Sequence, residues 1–269
     1  KALTEETISG GYSLPKANSH FYLADSVSNS TVKISAPNSS SYTVCLHLNG
    51  KNLTNTADMV FEGKAGKLNI MGSGEIMGGK TGAEYGATIG MGNVGSVNLF
   101  GGTYSKNAPS STANTIAVTW GGAINIYSGA TINSGTAGSA VYLKGALGDA
   151  ATSVTMYGGT IEATGSSEAA VELAAAVLPN AENSEILFVP TFNMYGGTIQ
   201  NGSGSNGGNV AVGAHSVLNM YGGTIQKGSA ANGGNVYLTG GATLNMYGGT
   251  ISNGTATSQG GSIYATNYI

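Results

Sequence analysis

Arginine is absent from this chain of 269 residues, and all ten of its basic residues are lysines. With no guanidinium fork, no basic cluster and a net charge of -3, the chain lacks the footprint of a nucleic-acid binder. Charged residues make up 9% of the chain, against roughly a quarter in an average soluble domain. One cysteine, Cys45, rules out an internal disulfide; set between Val44 and Leu46, it is expected to be a buried thiol rather than a reactive one. No apolar run reaches the length of a membrane span. Its first residues show no signal-peptide pattern and no initiator methionine, so Lys1 is expected to be the start of a processed chain or of a recombinant fragment. Proline is scarce, at 5, and glycine is abundant, at 45. Their sum stays below the level of low-complexity disorder, and Val, Ile and Leu are not depleted as they are in disordered chains. The chain should fold, with a polar and nearly uncharged surface.

What is present is a repeat. Leu218-Asn-Met-Tyr-Gly-Gly-Thr-Ile225 returns starting at Leu244 and at Phe192, and closely at Val154. Looser copies start at Ile124, Val97, Leu68 and Leu46. The steps between the eight starts are 22, 29, 27, 30, 38, 26 and 26 residues, the signature of a solenoid. A second motif falls between copies: Gly207-Gly-Asn-Val-Ala-Val212, Gly233-Gly-Asn-Val-Tyr-Leu238 and Gly260-Gly-Ser-Ile-Tyr-Ala265. Residues 139–143, 169–173, 113–118 and 86–91 fill the earlier slots. Each repeat thus holds two or three short strands of period two, punctuated by glycine pairs. Helical spacing is absent except weakly over residues 168–178, which excludes the helical and leucine-rich repeats.

The expected fold class is all-β: a right-handed parallel β-helix of about eight to nine coils, stacked at about 4.8 Å. Leu218, Met220 and Ile225 should point inward, with Asn219, Tyr221 and Thr224 outward or in turns. A propeller needs about 40 residues and four strands per blade, which these steps do not supply. Residues 1–45 lack the repeat and are expected to form an N-terminal capping segment, with the β-helix over 46–269. The repeat stops mid-coil at Ile269, so a C-terminal truncation is expected. The 38-residue step implies an inserted loop at 174–191, and a smaller one is expected at 144–153.

With these motifs in hand, the chain resembles the right-handed β-helix repeats of large surface proteins from gut Firmicutes, within the pectin-lyase-like superfold. Val44-Cys-Leu-His-Leu-Asn-Gly-Lys-Asn-Leu53 is similar to their opening coil. The Gly-Gly-x-Ile/Val element is also similar to a repeat of chlamydial autotransporter surface proteins, although the partnering Phe-x-x-Asn motif is not regular here. The resemblance covers about residues 44–269 and implies the fold. It carries over no catalytic residue, because β-helices of this kind include lyases, hydrolases, adhesins and tailspikes.

An enzyme on this fold needs carboxylates on one face. The three aspartates, Asp25, Asp58 and Asp149, are far apart in the repeat. If there is a catalytic site, it is expected around Glu162, Glu168 and Glu172, in one coil, with Glu182 and Glu185 in its insertion; the alternative is a solvated acidic edge. No metal or cofactor is expected: His20, His47 and His215 lack ligand spacing, and the turns lack the aspartates of calcium-binding β-rolls. The recurrent surface feature is a column of Tyr127, Tyr157, Tyr195, Tyr221 and Tyr247, with Phe100 beside them. Either it binds glycans through its ring faces, or like residues simply stack because they pack well in register. A parallel column of Asn69, Asn98, Asn125, Asn193, Asn219 and Asn245 should hydrogen-bond along the axis. The Thr column through Thr160, Thr198, Thr224 and Thr250 raises an ice-binding surface, with one Thr per coil and breaks at Glu75 and Tyr104. Trp120, the only Trp, reads as either a core plug or a surface contact.

The resulting expectation is a non-enzymatic, extracellular or cell-surface protein: an adhesin or rod-like spacer that contacts host or dietary glycans or a surface protein. A carbohydrate-active lyase or hydrolase and a purely structural stalk are the alternatives.

Overall fold

The structure, a computed structural model, describes residues 1–79, 87–91, 95–106, 113–119, 121–135, 137–145, 151–163, 168–174 and 189–266. Trp120, Glu182, Glu185, Asp149 and most of both expected insertions lie outside the described residues. The described strands form a 17-stranded sheet, a 10-stranded sheet and a small two-stranded one. Pairing is parallel from one end, where Ala2–Leu3 meets Ser19–Leu23, to the other, where Val236–Leu238 meets Ile263–Ala265. The chain is a parallel β-solenoid.

One turn shows the plan. Val217–Met220 runs along the first face, Thr224–Gln226 along the second, and Val236–Leu238 along the third. The first two faces belong to the large sheet and the third to the 10-stranded one. From Thr43 onward, strands equivalent to Val217–Met220 start the described turns at Thr43, Lys67, Ser96, Gly122, Thr152, Thr191, Val217 and Thr243. The second motif supplies the third face: Ala87–Met91, Asn114–Val118, Val141–Leu143, Val171–Leu173, Val210–Val212, Val236–Leu238 and Ile263–Ala265. Residues 171–173, inside the weak helical pattern, are strand.

Strand alternation decides what is buried. Leu218, Met220 and Ile225 are fully buried, Tyr221 is exposed, and Asn219 and Thr224 are half-buried. Identical positions stack turn on turn: Phe192 pairs with Leu218, and Leu218 with Leu244. The core is therefore one apolar column that lengthens without thickening. Its last described turn has no turn above it, and Leu244 and Ile251 are only half-buried there.

The corner between the first two faces explains the glycine pair. A Cβ on Gly222 would lie 2.5 Å from the Tyr195 carbonyl oxygen of the turn below. Gly223 has φ of 84°, a left-handed conformation that side chains rarely adopt. The first glycine answers a close approach and the second a backbone conformation.

Residues 1–45 continue the same ladders. Tyr22 pairs with both Ala2 and His47, Val27 with Leu53, and Ile34 with both Tyr12 and Phe61. Their inward residues, such as Leu23, Val27 and Ile34, are buried in the same core. What they lack is the Tyr-Gly-Gly-Thr corner. A one-turn helix, Glu5–Ile8, follows Ala2–Leu3 in the first turn, where later turns place the second-face strand.

Candidate functional site

The corner glycines project the preceding residue outward at the same height in every turn. Met156, Met194, Met220 and Met246 are register partners, and the tyrosine after each starts the corner. The backbone N–H of Tyr195 donates to the Met156 carbonyl, that of Tyr221 to Met194 and that of Tyr247 to Met220, each at 2.8 Å. Phe100, Tyr127, Tyr157, Tyr195, Tyr221 and Tyr247 consequently stack, with successive centroids 4.3, 5.1, 5.4, 4.6 and 5.0 Å apart. Their planes lie within 18° of parallel. Of these rings only Tyr127 is less than exposed, being half-buried.

That geometry alters the expected mode of sugar contact. Each inner ring has a ring on both faces, so those faces are occupied. The stripe shows water its ring edges and hydroxyls. Only the end rings, Phe100 and Tyr247, have a ring partner on one side alone among the described residues. Below Phe100 the same outward column continues through Met71, His47 and Tyr22.

Polar ladders flank the stripe. Asn98 donates to Asn69 and Asn125 to Asn98, each at 2.7 Å; Asn219 donates to Asn193 and Asn245 to Asn219, each at 2.9 Å. Thr155 takes the position between Asn125 and Asn193 and splits the ladder in two. Cys45 stands at its foot, half-buried, accepting from Asn69 Nδ2 at 3.4 Å. The expected burial of this thiol is corrected, because Val44 and Leu46 take the inward positions on either side. On the second face Thr103, Thr131, Thr160, Thr198, Thr224 and Thr250 are register partners, with Glu75 below Thr103. Tyr104 does not interrupt that column. It points inward, fully buried, and its hydroxyl donates to the Gly101 carbonyl at 2.7 Å.

Of the three candidate glutamates, Glu168 and Glu172 border one groove and Glu162 lies apart from them. Glu162 lies on the second face, where it accepts from Gln200 at 3.1 Å and Asn201 at 2.9 Å. Gln226 in turn donates to Gln200 at 3.2 Å, so Glu162 is the foot of a Gln ladder. Glu172 lies on the third face, in a column reading Tyr142, Glu172, Ala211, Tyr237. The small Ala211 leaves a groove of about 280 Å³ between bulkier neighbours, lined by Glu168, Glu172 and Tyr237 among others. Burial pushes the Glu172 carboxyl above its ordinary value and the Glu168 charge pushes the same way, while a hydrogen bond from the Ser139 hydroxyl opposes both.

Two groups were not singled out from the sequence. Asn209 and Asn235, of the Gly-Gly-Asn motif, are fully buried. Asn235 Oδ1 accepts the Gly228 N–H at 2.9 Å, and its Nδ2 donates to the Ser252 carbonyl at 2.8 Å. Asn209 does the same for Gly202 and Gln226 and donates to Asn235 at 2.7 Å. These amides hold the second-to-third-face connection closed. The recurrence of Gly-Gly-Asn just before two successive third-face strands, Val210–Val212 and Val236–Leu238, was the available signal. The other group is Lys106, buried where alternation from Thr103 puts it inward; its Nζ donates to the Ala113 carbonyl at 2.9 Å. Burial lowers its pKa to about 8.

Among the described residues no three His, Cys, Asp or Glu side chains gather as metal ligands, and no helix is long and apolar enough to cross a membrane. No protein-family model matches the chain, and neither a curated protein nor a solved structure matches it.

Proposed function

We propose that this chain is a rod-like binding module of the cell exterior, an adhesin or spacer that works without catalysis. Its contact surface is the corner bearing Tyr127, Tyr157, Tyr195, Tyr221 and Tyr247, and its partners are host or dietary glycans or a surface protein. The likeness of its repeats to gut-Firmicutes surface proteins and to the pectin-lyase-like superfold belongs to the same proposal. The observation that carries it is the continuous aromatic ladder, exposed at every ring but the half-buried Tyr127, on a rod that is otherwise polar and nearly uncharged. Water does not favour such a stripe, and contiguous exposed apolar patches mark interaction sites.

One observation favours a second reading, a carbohydrate-active enzyme. Glu172 sits in a groove beside Glu168 with its pKa raised, as a general acid requires. Glu162 plays no part in that reading, since it lies on another face.

The test is a polysaccharide screen reading both binding and product release, with Tyr195→Ser, Tyr221→Ser and Tyr247→Ser combined as the control. Binding without turnover, weakened in the triple variant, supports the adhesin. Turnover abolished by Glu172→Gln replaces it with the enzyme. Neither binding nor turnover leaves a structural stalk.

A further inference from the structure

Where the aromatic ladder begins, the solenoid surface carries a shallow, open pocket of about 360 Å³. Its lining includes Phe100, Ser73, Thr103 and glycines of three successive corners, Gly72, Gly101 and Gly129. The turn that would supply the next ring down has Met71 in that column, and Met71 does not line the pocket. The corner below is also built differently: Gly72-Ser73-Gly74 stands where the turn above has Gly101-Gly102. A ladder of rings stops, and a pocket opens beside its last ring.

We infer that this pocket is a subsite for a neutral pyranose unit, with Phe100 as its apolar platform. The inference rests on the glycan reading above and narrows it to one place. Among the described residues no charged side chain lines the pocket, so it offers no ion-pair partner to a uronate, a sulfate or an amine. A sugar ring has apolar C–H faces and a rim of hydroxyls. Phe100 meets the first requirement; the Ser73 and Thr103 hydroxyls and the glycine backbone meet the second. Corners without side chains let a ring approach main-chain donors and acceptors, and the volume falls within the range of about 300–1,000 Å³ usual for small-molecule sites. The inner tyrosines cannot serve in this way, because their faces are covered by one another. A longer chain seated at Phe100 continues along the ring edges and hydroxyls of Tyr127 and Tyr157.

Calorimetric titration with neutral probes tests this: cellobiose, xylobiose and mannobiose, and the corresponding hexasaccharides. Four proteins are compared, namely the parent, Phe100→Ala, Ser73→Ala with Thr103→Val, and the Tyr195/Tyr221/Tyr247→Ser triple. Phe100 is at the end of the stack and partly exposed, so its variant should fold; circular dichroism and a melt establish that for each. The expected result is that Phe100→Ala weakens the disaccharide about tenfold, as loss of an aromatic platform does. The hydroxyl variant weakens it about threefold or more. The tyrosine triple affects only the hexasaccharide. Binding lost in the triple but unchanged in Phe100→Ala overturns the subsite and leaves the glycan reading standing. No binding of any probe by the parent overturns both for neutral glycans.

Discussion

Tyr195 and Tyr221 stack with ring centroids 4.6 Å apart and planes 8° from parallel, although they are 26 residues apart in the chain. The contact follows from register: Met194 pairs with Met220, and each tyrosine opens the same glycine corner. Stacked aromatic pairs add about 0.5–1.5 kcal/mol beyond the area they bury. A double-mutant cycle with Tyr195→Ser and Tyr221→Ser should therefore return a coupling of about that size in urea denaturation. A cycle between Tyr195 and Tyr247, which do not stack, should return nearly none. Equal couplings would mean that the rings are not ordered as a ladder.

The two kinds of asparagine should behave differently. Asn219 is half-buried, between Asn193 and Asn245, and water can replace a lost partner there. Asn219→Ala is expected to cost about 0.5–1.5 kcal/mol. Asn235 is fully buried, and its removal takes the Oδ1 acceptor from the Gly228 N–H and one of two donors from the Ser252 carbonyl, which keeps the Lys227 N–H. Asn235→Ala should cost more, about 2–3 kcal/mol, with faster amide exchange at Gly228. If Asn219→Ala proves the more damaging, the assignment of the buried amide as the clamp is wrong.

The turn plan was legible because alternation and glycine spacing are local in sequence. Leu218, Met220 and Ile225 needed only period two to be placed inward, and the repeat steps placed the tyrosines in one column. Two consequences required register. Knowing that Tyr195 and Tyr221 share a column does not say that their ring faces touch, and face contact decides what a sugar can reach. Glu162 and Glu172 share a turn, but the intervening bend sends them to different faces. Residues 1–45 alternate at Phe21, Leu23 and Val27 but lack the Tyr-Gly-Gly-Thr corner, so period two alone marks their place in the ladders. Thr103-Tyr-Ser-Lys106 shows the same limit: alternation points both Tyr104 and Lys106 inward, against the usual preference for keeping lysine in water.

Glu172 gives a pH prediction whose sign follows from its environment. Burial and Glu168 raise its folded pKa above the unfolded value, so the folded chain binds this proton more tightly. Its contribution to stability is present in full below the ordinary carboxylate range and is lost as pH rises through the raised value. Glu172→Gln should therefore raise Tm at pH 7, and the gap between variant and parent should close on acidification to about pH 4. Glu168→Gln should recover part of the same gain by removing the neighbouring charge. A Tm difference that does not change with pH would rule out titration of Glu172 as its source.

Lys106 gives the opposite dependence. Its folded pKa, about 8, lies below the unfolded value, because burial disfavours the ammonium. Below pH 8 the folded chain carries a charge it would rather lose. Between about 8 and 10.5 the unfolded chain binds the extra proton, so stability climbs with pH. Tyrosines and Cys45 also ionise in alkaline solution, so the measurement is a difference: urea unfolding of the parent and of Lys106→Met at matched pH. Methionine keeps the length and apolar stem of lysine without the charge, at the loss of one donor to the Ala113 carbonyl. The parent should gain on the variant steadily from pH 8 upward. A difference that stays level across that window would place the Lys106 ammonium in water, contrary to its buried position.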